Sequence, residues 1–279
     1  MRKNRAQNLD WLLQRHLALI GTRDGHRALL QFKSKPALTV QWVAVIVSTV
    51  LRILQVPEPV SYEEGLRLQQ EHVEAILAGK GEDALILLEH DPVFTIGRLR
   101  DRSSLRDDSK LPYPVFETNR GGQATYHGPG QLVGYPILDL NRRGRDLHEH
   151  LRNIEEILIR ACADFGVNAV RREGLTGVWV EDRKLASIGV GVRKWIAMHG
   201  FALNITRDCL PPFFAITPCG LDGVTMSCLE VEAGRAIPVM EAAAVIGRLF
   251  QSLSRKCSSN PWQPSSTMSA TCSNPCAPP

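Results

Sequence analysis

The chain lacks an apolar run long enough to cross a membrane. A spanning helix needs roughly 20 consecutive apolar residues, and the run from Pro36 to Leu51 falls short of that and contains Gln41, Ser48 and Thr49. It also begins too far in for an ordinary signal peptide. It reads as an apolar appendage or a mis-assigned start rather than an anchor. No C-x-x-C pair is present, and no Cys/His set has zinc-finger spacing. His148-Glu149-His150 is not H-E-x-x-H, so it does not set two imidazoles one helical turn apart. No metal is expected. The seven cysteines (Cys162, Cys209, Cys219, Cys228, Cys257, Cys272 and Cys276) are odd in number and irregular in spacing. That argues against a disulfide framework and for a reducing cytoplasm. Aromatic residues make up 6% and no basic–aromatic stripe occurs, so a net charge of +4 does not signal nucleic-acid binding. There is no internal repeat and no strict βαβ alternation.

What remains is ordinary globular composition, 44% hydrophobic and 22% charged. Residues 1–50 read as an N-terminal extension, 51–255 as the folded domain, and 256–279 as a disordered tail dominated by Ser, Pro, Asn and Cys. Arg52 to Val56 alternates like a strand. Ser61 with Glu64, and Asp146 with Glu149, are capping boxes that open two helices. The first is expected to bury Leu66, Val73, Ile76 and Leu77 and to end at Gly79. The second, with Leu147, Leu151, Ile154, Leu158, Ala161 and Phe165 on one face, ends at Gly166. Ala84–His90, Val93–Ile96, Val115–Glu117, Leu132–Leu140, Gly177–Val180, Leu185–Val192 and Trp195–Asn204 read as strands. Glu181 to Lys184 reads as a turn, and Pro238 to Leu253 as a last helix. Strands and helices mixed in this way predict an α+β fold.

Four stretches carry candidate chemistry. Arg120 to Gln131 packs four glycines, a proline, an arginine and a histidine ahead of a strand. It is a substrate cradle, or else a tight turn with a buried His127. Lys184-Leu185-Ala186-Ser187-Ile188-Gly189 sets a lysine among small residues. At a hairpin tip a lysine is a solvated charge, whereas burial moves it from a free pKa of about 10.4 toward use as a general base. His199-Gly200-Phe201-Ala202-Leu203-Asn204 is a strand with a glycine bulge, or a backbone wall against an apolar ligand. In Thr217-Pro218-Cys219-Gly220 the proline fixes the chain before the thiol and the glycine clears space after it. A free thiol has a pKa near 8.5, so a neighbouring lysine would raise its thiolate fraction. Cys219 and Lys184 form a candidate nucleophile–base pair for acyl transfer.

These four motifs, in this order, closely resemble those of the lipoyl(octanoyl) transferase family over roughly 51–254. The resemblance implies the fold of biotin and lipoate protein ligases, a two-layer α/β module with a mixed sheet flanked by helices. It implies transfer of an octanoyl (or lipoyl) group from acyl carrier protein to a lysine of lipoyl domains. Those domains belong to 2-oxoacid dehydrogenases and the glycine cleavage H protein. Carried onto this chain, Cys219 would hold the acyl group as a thioester and Lys184 would serve as general acid and base. Arg120, Gly121, Gly122, Gln123, Ala124, Thr125, Tyr126, His127, Ser187, Ile188, Gly189, Gly200, Phe201 and Ala202 would line the acyl pocket. No cofactor is implied, since thioester exchange is nearly balanced and amide formation from a thioester is downhill. Eight carbons buried at about 0.8 kcal/mol per methylene contribute roughly 5 kcal/mol. The competing readings are an ATP-dependent lipoate or biotin ligase, which needs no cysteine, and a non-catalytic ligand-binding protein.

Overall fold

The computed structural model describes residues 51–220 and 223–256, with backbone alone at Asp108, Cys219 and 253–256. It also describes three short strands nearer the N-terminus, Leu19–Ile20, Ala28–Leu30 and Ala44–Val45, which pair antiparallel. The readings of the tail from Cys257, and of the apolar run from Pro36 apart from Ala44–Val45, lie outside the described residues.

In chain order, β1 (Arg52–Gln55) precedes α1 (Tyr62–Leu77), β2 (Ala84–Leu88), β3 (Val93–Ile96), β4 (Val115–Glu117), β5 (Thr125–His127) and β6 (Gln131–Ile137). After α2 (Leu147–Asp164) come β7 (Val170–Arg172), β8 (Leu175–Val180), β9 (Arg183–Arg193) and β10 (Ile196–Asn204). Then follow β11 (Thr225–Met226), α3 (Leu229–Ala233) and α4 (Val239–Lys256). The main sheet runs β7-β8-β9-β10-β6-β2-β1, with β11 paired to β9. Its β1–β2 and β9–β11 pairs are parallel and the others antiparallel, a mixed sheet flanked by helices. A second sheet, β4-β3-β5, is small.

Both N-caps form, without the reciprocal bond from the Glu64 carboxylate, which Arg67 takes instead. Ser61 Oγ accepts from the Glu64 amide at 3.2 Å, and Asp146 Oδ1 accepts from the Glu149 amide at 2.9 Å. The apolar run Leu85–Leu88 is fully buried in β2, between β6 and the edge strand β1, and each such side chain contributes roughly 1.5–3 kcal/mol by transfer from water. On one face, Val73 and Ile76 of α1 pack on Ile86, Leu88, Val133, Tyr135, Ile137, Met198 and Ala202. Alternation turns Phe201 to the other face, where it stacks on Phe250 of α4 at 6.1 Å. The buried stripe of α1 differs from the expected one. It runs Tyr62, Gly65, Gln69, Val73 and Ile76, while Leu66 and Leu77 are half-buried.

The small sheet has two working faces for the same period-2 reason. Phe94, Ile96 and Tyr126 point into a second core with Leu105, Cys209, Phe213 and Ile216. Thr95, Thr125 and His127, on the alternate positions, point the other way. Some strand assignments change. Thr125–His127 is a strand inside what reads as a loop, and Glu181–Asp182 alone makes the β8–β9 turn. The β9–β10 register runs unbroken through Gly189↔Gly200, so there is no bulge at Gly200.

Candidate active site

A cavity of about 450 Å³, including the space at its mouth, opens between α1, the small sheet, and β6, β9 and β10. Of the residues expected to line a pocket, Arg120, Gly121, Gly122, Thr125, His127, Ser187, Ile188, Gly189, Gly200, Phe201 and Ala202 surround it. Gln123, Ala124 and Tyr126 do not. Ala124 and Tyr126 belong to the second core, and Gln123 donates to Asp101 at 3.1 Å. Four lining residues were not anticipated: Tyr62, Val133, Tyr135 and His199.

The loop from Asn119 to Gly122 lies directly on β9. The Gly121 amide donates to the Val190 carbonyl at 2.9 Å. A Cβ at Gly189 would stand 2.8 Å from the Gly121 carbonyl oxygen, so only glycine permits this approach. Arg120 is buried. Its Nη2 donates to the Thr95 carbonyl at 2.7 Å, to Thr95 Oγ1 at 2.8 Å and to the Gln123 carbonyl at 2.8 Å. The guanidinium thereby ties the glycine-rich loop to β3.

Three neutral histidines stand behind the cavity. The Val60 carbonyl can only accept, so His90 Nδ1 carries the proton in their 3.1 Å bond. His90 Nε2 then accepts from the Tyr135 hydroxyl at 2.6 Å. The same logic runs inward from the Ser227 carbonyl, which accepts from Asn204 Nδ2 at 2.9 Å. Asn204 Oδ1 accepts from Gln131 Nε2 at 2.9 Å, and Gln131 Oε1 accepts from His127 Nδ1 at 2.8 Å. His127 therefore carries its proton on Nδ1. Its ring is nearly parallel to Tyr62, 7° between planes with centroids 6.1 Å apart. His199 has φ +57, rare for a residue with a side chain. Its amide donates to Gln69 Oε1 at 2.8 Å, which explains a buried glutamine on the apolar stripe of α1.

Burial drives all three imidazoles toward neutrality, His90 to about 4, His127 to about 3 and His199 to about 4. The Arg120 charge pushes His127 and His199 further the same way. His150 in α2 is likewise held near 4 by burial. Each group binds its proton more tightly unfolded, near 6.5, than folded. Stability is therefore full above about pH 6.5 and falls as pH drops from there toward about 4. The slope is about 1.4 kcal/mol per pH unit for each histidine. Denaturant unfolding between pH 8 and 4.5 is expected to be flat above pH 7 and to steepen below 6.5. A flat profile to pH 4.5 contradicts neutral burial.

Lys184 is not at a hairpin tip. It lies within β9, is 2% exposed, and pairs with Trp179 of β8. On its other side, β11 places Met226 opposite Lys184, and the Ser227 amide donates to the Lys184 carbonyl at 3.0 Å. Cys219 sits in a 3₁₀ turn, Pro218–Gly220, that packs on β5. The Gly220 amide closes the turn onto the Thr217 carbonyl at 3.0 Å. Gly220 abuts the Gln123 side chain. Further along the same chain comes β11, beside Lys184. The other described cysteines, Cys162, Cys209 and Cys228, are buried, and burial pushes their thiols up. Among the described residues no group of His, Cys, Asp and Glu has the arrangement of a metal site. No described helix is long and apolar enough to cross a membrane.

The architecture is that of a lipoate protein ligase fold. A bi-partite lipoate protein ligase from Thermoplasma acidophilum superposes with a TM-score of 0.53 at 18% identity, covering 74% of this chain and 83% of that one. The P. falciparum LipL1 complex with lipoate gives a TM-score of 0.55 at 15% identity, covering 77% and 63%. The sequence pattern of the lipoyl protein ligase A/B catalytic domain matches residues 61–251, and the chain belongs to that family. Among its relatives, the octanoyltransferase of Geobacter sulfurreducens is 55% identical over 192 residues, 69% of this chain and 80% of the relative. The octanoyltransferase of Geotalea uraniireducens is 50% identical over the same length, 69% of this chain and 88% of the relative.

Proposed function

We propose that this protein is an octanoyltransferase of protein lipoylation that works through an acyl-enzyme on Cys219. The Cys219 thiolate attacks the thioester carbonyl of octanoyl-acyl carrier protein. The C–S bond to the carrier breaks, and the carrier thiol leaves with a proton. The Nζ of a lipoyl-domain lysine then attacks the Cys219 thioester, an amide forms and the Cys219 thiol is restored. Lys184 takes the Cys219 proton in the first half and assists deprotonation of the incoming amine in the second. The cavity lined by Tyr62, Val133, Tyr135 and Ala202 takes the acyl chain.

The observation that carries this reading is the pairing around Lys184. A buried lysine on β9 is flanked by β11, whose chain comes directly from the Cys219 turn. That arrangement supports a nucleophile and base in reach of each other, although they are far apart in sequence. The test is transfer from octanoyl-acyl carrier protein to an apo lipoyl domain without ATP. Modification without ATP is expected. A strict requirement for ATP would support the ligase reading instead.

A further inference from the structure

Trp179 is fully buried, yet its indole Nε1 has no hydrogen-bond partner among the described residues. A buried indole usually finds one. The edge of the ring is therefore not what fixes its place; the face has the charged neighbour. Lys184 Nζ lies 5.1 Å from the ring centroid, inside the roughly 6 Å reach of a cation–π contact. Arg172 stands 5.1 Å from the same centroid. β8 lies between β7 and β9, so the two cations come from the strands on either side.

Three local features deliver the ammonium to that face. The β8–β9 register shifts between Val178 and Trp179, pairing Trp179 with Lys184 but Val178 with Ala186. A bulge of this kind re-aims a side chain. Gly177 clears the stem: a Cβ there would stand 2.8 Å from Lys184 Cε and 2.6 Å from the Ala186 carbonyl oxygen. The Gly177 amide is in turn held by Glu155 Oε1 of α2 at 3.1 Å. Glu155 is itself buried and paired with Arg152 at 2.7 Å and Arg171 at 3.1 Å.

We propose that Trp179 is a positioning residue for octanoyl transfer, its ring face holding the Lys184 ammonium that forms when Cys219 gives up its proton. This inference rests on the Cys219–Lys184 reading above. Lys184 is 2% exposed, so the ring supplies electron density that solvent does not. It stabilises the lysine ammonium and thiolate relative to the neutral pair. Weakening the ring face then demands a higher pH for the same thiolate fraction.

The test replaces tryptophan throughout the full chain by analogues with one, two and three ring fluorines, which drain the face with little change of shape. The chain has five tryptophans, and Trp179→Phe supplies the control. Alkylation of Cys219 by iodoacetamide is followed by peptide mass across pH. The alkylation midpoint is expected to rise stepwise with fluorine number, by about one pH unit in total. In Trp179→Phe the midpoint is expected to stay at one value whatever the fluorination. A midpoint independent of fluorine in the otherwise wild-type chain would overturn the proposal, as would the same stepwise rise in Trp179→Phe. Lys184→Met separates the two levels. If it leaves the midpoint where wild type has it, the Cys219–Lys184 reading fails and this inference with it. If it shifts the midpoint and fluorination does not, only the role of Trp179 fails.

Discussion

Cys219→Ser is expected to lose octanoyl transfer by at least about 10⁴-fold while leaving the fold intact. Serine is close in shape to cysteine, and the Pro218–Gly220 turn depends on backbone bonds that the substitution leaves alone. The chemical difference is large. A thiol with a free pKa near 8.5 is partly ionised at neutral pH, and in the proposed mechanism Lys184 raises that fraction. A serine hydroxyl is a far weaker acid and gives almost no alkoxide under the same conditions. Steady-state transfer to an apo lipoyl domain, compared at matched thermal stability, checks this. Retained turnover in the serine variant would place the reaction elsewhere, for example on an acyl adenylate.

Lys184→Met is expected to slow transfer by roughly 10²- to 10⁴-fold, the range associated with a positioned general base. Methionine is chosen because Lys184 is almost fully enclosed; an unbranched apolar chain of similar length fills the slot beside Gly177 and limits cavity cost. Loss of the base weakens both halves of the reaction. Single-turnover measurements are expected to show slower acylation of Cys219 and slower release of octanoyl to the acceptor lysine. Near-normal rates in both halves would remove Lys184 from the mechanism. A loss confined to KM for the carrier would make it a docking residue.

The elements that were easiest to read from sequence are those with local physics. Both helix N-caps sit where Ser/Asp and Glu are spaced three apart, and the Leu-rich run from Ala84 is a fully buried strand. The glycine-rich loop reads as a close approach of backbone, and Gly121 does lie on β9 at Gly189, where glycine has no substitute; the equally tight Gly177 reads only as strand. Misreadings came from non-local pairing. Lys184 reads as a turn residue because Glu181-Asp182-Arg183-Lys184 is a charged run, yet the hairpin turns after two residues and β11 covers the far side. Tyr126 falls within the glycine-rich motif but faces the second core, because residues 125–127 form a strand and alternate residues take opposite faces. That alternation, applied once Thr125–His127 is recognised as β, separates Thr125 and His127 from Tyr126.

The cavity residues that escaped sequence reading had weaker signals. Tyr62 shares the 3–4 stripe of α1 with Gln69, Val73 and Ile76, so the helical period contains it. Tyr135 sits on β6 in step with Val133 and Ile137, where an aromatic reads as core. Its role at the cavity depends on His90, which reaches its hydroxyl across a separation of 45 residues. His199 adopts a positive φ that no local pattern announces. The roles proposed for Cys219 and Lys184 rest on the order of four motifs and the resemblance they carry, since each motif alone also fits an ordinary turn or strand.

The central claim is a covalent octanoyl-enzyme on Cys219. Its most direct measurement is the intact mass of the full chain after incubation with octanoyl-acyl carrier protein alone. Wild type is expected to gain one octanoyl group, labile to hydroxylamine as a thioester is and mapped to the peptide bearing Cys219, while Cys219→Ser gains none. Wild type that stays unmodified, or a Cys219→Ser variant that acquires the same adduct, would contradict it.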